Sequence, residues 1–188
     1  MTFRRAGAIA LTVAGVGAVA LLLLVVGPRW FAGRPAQGTA APAPAPAQGR
    51  RIKARLFYVS EDGTRLVGVE REVPFGESAD QAREIVAAQI APVAEPLVSA
   101  IPPGTTLRAL FLTDRGEAFV DLSPEAVSAH AGGTLGELLT VYTIVNALTA
   151  NLPAVQAVQI LVDGKEVPTL AGHVDLRRPL AKNLALVE

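Results

Sequence analysis

The sequence predicts a two-layer α/β sandwich, with two helices on one face of a mostly antiparallel or mixed sheet. Three observations carry this. Paired segments of strand-like residues meet at short glycine-containing turns, three times over. Single helical stretches separate the pairs, giving the order β-β-α-β-β-α-β-β. Hairpins alternating with lone helices suit a sheet covered on one side.

The first hairpin starts at "RIKARLFYV", where Lys53 and Arg55 alternate with Ile52, Ala54 and Leu56, as in a half-buried strand. Asp62-Gly63 supplies the turn and "TRLVGVEREV" the return strand. "ESADQAREIVAAQI" then reads as a helix, with Ala82, Ile85, Val86 and Ile90 on one face. Ser78 and Gln81 have the spacing of a capping box, and Pro92 and Pro96 prevent much continuation.

"IPPGTTL" is a turn, and "TLRALFLT" and "GEAFVDL" form the second hairpin around "DRG". The long helix is "TLGELLTVYTIVNALTANLP". Thr134 and Glu137 again have capping-box spacing, and Pro153 stops the helix. Its apolar residues, from Leu135 and Leu138 through Val145 to Leu148, nearly encircle it, which predicts the more buried of the two helices. The third hairpin is "VQAVQILV", Asp163-Gly164 and "KEVPTL".

In front of this domain, Ala6–Gly27 is uncharged and long enough to cross a bilayer as a helix, which takes about 20 apolar residues. Residues 1–5 then form a cytoplasmic tail, 6–27 a transmembrane signal-anchor, 28–50 an Ala/Pro-rich linker and 51–188 the folded domain. A cleaved signal peptide is the rival reading, although its apolar region usually has only about 7–15 residues. Arg4 and Arg5 precede the span and Arg29 and Arg34 follow it, so charge alone barely orients it. The short N-terminal tail decides for a C-terminal domain outside the cytoplasm, because long domains translocate largely regardless of charge. Alternating Ala-Pro favours an extended spacer, able to hold a domain about 40–50 Å off the membrane.

Cysteine is absent, which excludes disulfides, thiolate chemistry and a lipidated cysteine. Five of the 17 basic residues precede Arg51, so the domain sets 12 bases against 17 acids, a net charge of −5. That balance argues against a nucleic-acid partner.

Asp121, Ser123 and His130 fall within "FVDLSPEAVSAH" and carry the side chains of a hydrolytic triad. No Gly-x-Ser-x-Gly elbow surrounds Ser123, and Ser-Pro-Glu is a helix start, so a structural cap explains the serine. His173 near Asp175 gives too few ligands for zinc, and no metal or cofactor site is expected. Arg177 and Arg178 fit a solvated face. Asn146 sits among apolar neighbours in the long helix, where its amide is expected to bond the backbone of a neighbouring segment.

The ordered set "LFYVSEDGTRLVGVEREV", "IPPGTTL", "AFVDLS", "YTIVNALT", "LPAVQAVQILVDGK" and "LAGHVDL" resembles the GerMN domain (sporulation and spore germination) family. Two departures stand out: Ala147 replaces the family's usual threonine, and "IAPVAEPLVSA" lacks a Gly-Pro. The resemblance implies a fold similar to ring-building motifs and a site outside the cytoplasmic membrane. It brings no catalytic residues with it. The expected protein is therefore a non-enzymatic, single-pass membrane protein of the cell envelope that binds another envelope protein or itself. The alternative is an envelope hydrolase or ligand-binding protein acting on peptidoglycan or a small molecule, through Asp121, Ser123, His130 and His173.

Overall fold

The structure, a computed structural model, describes residues 49–188. The expected cytoplasmic tail, signal-anchor and nearly all of the linker lie outside them. Among the described residues no helix is long and apolar enough to cross a membrane.

Strands β1 (Arg51–Val59) and β2 (Leu66–Pro74) pair antiparallel, with Arg51 opposite Pro74 and Val59 opposite Leu66. Alternation sends Ala54, Leu56 and Tyr58 into the core and leaves Arg51, Lys53 and Arg55 exposed. The exposed side carries a charge ladder: Lys53 Nζ lies 3.3 Å from Glu70, and Arg51 Nε 3.4 Å from Glu72. In the connecting turn the Asp62 carboxylate accepts Ser60 Oγ (2.7 Å), Thr64 N–H (3.0 Å) and Thr64 Oγ1 (2.7 Å). These bonds, that from Ser60 foremost, lower its pKa to about 2.

Helix α1 (Ala79–Ile90) buries Ala82, Ile85 and Val86, as the periodicity predicts. The capping box does not form. Ser78 has a positive φ of 44° and its side chain caps nothing. Gln81 instead reaches past it, accepting Gly76 N–H (2.9 Å) and donating to the Pro74 carbonyl (3.2 Å). The helix start is thereby tied to the end of β2.

The second sheet holds β3 (Leu107–Leu112), β4 (Glu117–Leu122), β5 (Ala157–Val162), β6 (Lys165–Glu166) and β7 (Leu180–Ala181). β3 and β4 are the expected antiparallel hairpin. β4 and β5 run parallel, from Glu117 opposite Ala157 to Leu122 opposite Val162, so the sheet is mixed. The crossover that a parallel pair requires is made by α2 (Glu125–Ser128) and α3 (Thr134–Asn151). β6 and β7 both pair with the far edge of β5, one at each end. The third hairpin is thus much shorter than its sequence suggests, and β7 was not legible at all.

Leu110, Ala118, Val120, Leu122, Val158, Ile160 and Val162 share the buried face of this sheet. α1 packs on β1, β2 and β3, α3 on β1 and β5, and the two helices pack on each other. In α3, Val141, Ile144, Val145 and Leu148 are fully buried, whereas Leu135 is exposed. On the sheet's other face Phe111 is 60% exposed, beside its register partner Phe119.

Sequence reasoning treats the hairpins as one sheet; the structure has two. Their separation has a local cause. The outer edge of β1 meets side-chain amides rather than a strand. Phe57 N–H donates to Gln89 Oε1 and its carbonyl accepts from Gln89 Nε2, both at 2.8 Å. Two residues earlier, Arg55 makes the same pair of bonds with Asn151, again both at 2.8 Å. At Val59 the backbone of Val98 takes over. Backbone groups that a neighbouring strand would have paired are thereby satisfied from α1, α3 and a loop.

Candidate functional site

The acid, hydroxyl and imidazole groups of the suspected triad are each engaged with a different part of the fold. Asp121, on β4, accepts Gly164 N–H at 2.7 Å and lies 3.9 Å from Arg108 Nε. It anchors the Asp163-Gly164 turn, whose positive φ values of 53° and 73° are those of a tight hairpin turn. Arg108 also pairs with Asp163 itself.

Ser123 is buried, and its Oγ accepts Thr106 N–H at 2.9 Å while its own N–H donates to the Thr106 carbonyl at 3.0 Å. Its side chain does not cap α2, contrary to the sequence expectation; the Ser123 carbonyl meets Ala126 N–H instead. The hydroxyl also holds the half-buried Glu125 carboxyl beside it below its ordinary value of 4.5. A serine so placed locks the end of β4 to the loop before β3.

His130 stands at the start of the "AGG" stretch, in the wall of a cavity of about 330 Å³ formed with Ser99–Pro103, Gly136 and Thr140. Its Nδ1 accepts Gly132 N–H at 2.9 Å, so the hydrogen sits on Nε2, 3.1 Å from Thr140 Oγ1. Thr140 Oγ1 lies 2.6 Å from the Ala100 carbonyl and 2.9 Å from that of Gly136, both acceptors for its hydrogen. The ring has no lone pair left to act as a general base in this arrangement.

His173 meets a residue that sequence reasoning assigned elsewhere. Glu137, expected in a capping box, is fully buried. Its Oε1 accepts the N–H groups of Leu170 (2.7 Å) and Ala171 (2.9 Å), and its Oε2 that of His173 (2.7 Å), with His173 Nδ1 at 3.3 Å. Burial pushes the Glu137 pKa up, but the backbone donors of Ala171, His173, Leu170 and Val174 outweigh it, and the net direction is down. One carboxylate thus holds the whole 170–174 loop. The Thr-x-x-Glu spacing that suggested a cap contained no signal for a loop more than 30 residues away.

Asn146 is fully buried and does bond a neighbouring segment. It donates to the Asn183 carbonyl (2.9 Å) and accepts Asn183 N–H (3.0 Å). Asp175 pairs with Arg177 through two side-chain bonds (2.9 and 2.8 Å), which hold its carboxyl well below the usual range; Arg178 is exposed. Among the described residues no group of three or more His, Asp or Glu side chains could hold a metal ion.

Three solved structures share this fold. A crystal structure of a candidate lipoprotein from Clostridium perfringens is 22% identical, with a TM-score of 0.51, over 74% of this chain and 93% of that one. The first GerMN domain of the sporulation protein GerM from Bacillus subtilis is 17% identical, with a TM-score of 0.52, over 69% of this chain and 97% of that one. The tandem GerMN domains of the same protein are 18% identical, with a TM-score of 0.52, over 72% of this chain and 46% of that one. No curated protein matches the sequence. The family model described as sporulation and spore germination matches residues 55–168, well over half the chain, and the protein belongs to that family, Germane, whose domain is the GerMN fold.

Proposed function

We propose that this is a non-enzymatic envelope protein, tethered at the outer side of the cytoplasmic membrane by its N-terminal helix and acting through protein–protein contact, in sporulation or germination where the organism undertakes them. The observation that carries this reading is the dispersal of the candidate chemistry. Asp121, Ser123, His130 and His173 bond Gly164, Thr106, Thr140 and Glu137 respectively, and none bonds another. The lipoprotein from C. perfringens and the sporulation protein GerM, both of this fold, favour an envelope role.

The surface for contact is the β3 side of the second sheet. β1's edge is already occupied, and charged pairs stand along β2. β3 has a strand neighbour on one side only, meets a single long side-chain bond from Arg83 to the Leu110 carbonyl (3.3 Å), and displays Phe111, in the manner of edges that recruit another chain. Crosslinking from position 109, on the same face of β3 as Phe111, in intact cells should capture an envelope protein or a second copy. Phe111→Glu should abolish the crosslinks and leave the melting temperature unchanged. Persistence of the same crosslinks in that variant refutes this surface.

The cavity beside His130 favours a second reading, a hydrolase or small-ligand protein. Amidase and esterase assays on the purified chain separate the two. Activity that disappears in Ser123→Ala, with the fold retained, establishes the second.

A further inference from the structure

The connection from α1 to β3, Ala91 to Thr106, contains no helix and no strand. Structureless connections longer than about 12–15 residues are uncommon in compact domains and usually serve a function. This one lines an open groove of about 460 Å³ between the end of α1 and its own Leu97–Thr105 stretch. That is within the roughly 300–1,000 Å³ of small-molecule sites.

The wall has a definite chemistry. No acidic, basic or aromatic side chain lines it; Ile90, Val93, Leu97, Val98 and Ile101 supply aliphatic surface. A charged ligand finds no counter-ion there, and a nucleobase no ring to stack on. Strand-like peptide pairing is hindered along part of the loop as well. Pro92, Pro102 and Pro103 have no N–H, and the N–H groups of Leu97, Ile101 and Thr105 are used inside the loop, on Ala94, Ser99 Oγ and Pro102. Of the two hydroxyl side chains in the wall, Ser99 already accepts Ile101 N–H. Thr105, 5% exposed, belongs to the wall, and its Oγ1 is buried without a hydrogen-bond partner. Among the described residues only Thr143 Oγ1, within α3, shares this state; buried hydroxyls are normally satisfied, so the exception at the groove calls for a cause. Val98 is 56% exposed at the groove, an aliphatic side chain in contact with water.

We propose that this loop forms a binding site for an uncharged aliphatic ligand, an alkyl or acyl chain bearing one hydroxyl or carbonyl group, with Thr105 as the hydrogen-bond partner of that group. The site is separate from the β3 edge, so its test and that of the protein contact fail independently.

The test uses the full chain in membrane vesicles and a long-chain primary alcohol carrying a photoactivatable diazirine. Labelled residues are mapped by mass spectrometry. Labelling is expected within residues 90–105 and should be suppressed by excess unlabelled alcohol. Val98→Glu, at an already exposed position, should lower it by roughly tenfold, about 1.4 kcal/mol. Val127→Glu, at a half-exposed position outside the groove wall, should leave it unchanged. Thr105→Val should weaken labelling by the alcohol several-fold relative to an alkane diazirine of equal length. Labelling spread evenly over the domain, or insensitive to competitor and to Val98→Glu, overturns the site. Equal labelling by alcohol and alkane in the parent protein overturns the role of Thr105.

Discussion

The side-chain amide of Gln89 is wholly engaged with one residue, Phe57: it accepts from that residue's N–H and donates to its carbonyl, both at 2.8 Å and both away from water. Gln89 is fully buried, so nothing else can take its place. Asn151 makes the same pair of bonds to Arg55 at a half-buried position, where solvent can substitute.

Gln89→Leu should therefore destabilise the domain by about 2–4 kcal/mol, since it leaves a buried donor and a buried acceptor unpaired. Asn151→Ala should cost only about 1–2 kcal/mol, because water can pair the Arg55 groups it frees. Urea melts of the two variants measure both. Equal losses contradict the difference in burial.

Acid stability should depend on Glu137. Its folded pKa lies below its ordinary 4.5, so its stabilising contribution is complete above that pH and is lost as pH falls through the folded value. Glu137→Gln replaces one carboxylate oxygen by an N–H₂ that confronts backbone donors. It should cost about 2–3 kcal/mol at pH 7 and flatten the acid limb of stability against pH. An acid limb as steep as in the parent assigns the pH dependence to other carboxylates.

Val145→Asp places a carboxylate at a fully buried position in α3, surrounded by the core. Burying an unpaired charge costs several kcal/mol, so the domain should fail to fold or melt far lower. Circular dichroism melts decide it, and an unchanged midpoint refutes the burial of this helix face.

Asn146→Ala should loosen the C-terminus without unfolding the core. The segment from Asn183 onward is held by the Asn146 amide, and its end by Val187 and Glu188 against Leu66. Limited proteolysis should cut after Lys182 sooner, while protection of β4 and β5 amides is retained. Loss of protection in both places makes Asn146 a core element rather than a clamp.

What the sequence made legible was local. Asp163-Gly164 marks a tight turn because few other pairs accept two positive φ values, and the turn is there. Alternation placed Lys53 and Arg55 outside and Ala54 and Leu56 inside, correctly. The failures share a cause. Ser78 with Gln81, and Thr134 with Glu137, have the spacing of capping boxes, but Gln81 serves Pro74 and Gly76, and Glu137 serves the 170–174 loop. A spacing rule sees the partner three residues away and not the competing one that folding brings in. Parallel pairing of β4 with β5 escaped for the same reason: each strand pattern is legible alone, its neighbour is not. At the site level, the local reading denied Ser123 a catalytic setting but misassigned its role: the hydroxyl accepts Thr106 N–H and caps no amide of the helix.

A junction made of amide side chains opens differently from one made of strand pairing. Between paired strands, backbone bonds give way together, because separating the chains breaks them all. Along β1, the bonds from Gln89 and Asn151 can release one rotamer at a time. Residues 51–74, paired only with each other as strands, should then open before β3–β5, as a local event within the one core. In native-state hydrogen exchange, the amide protons of Arg55 and Phe57 should report this partial opening, at a lower free energy than those of Val120 and Ile160.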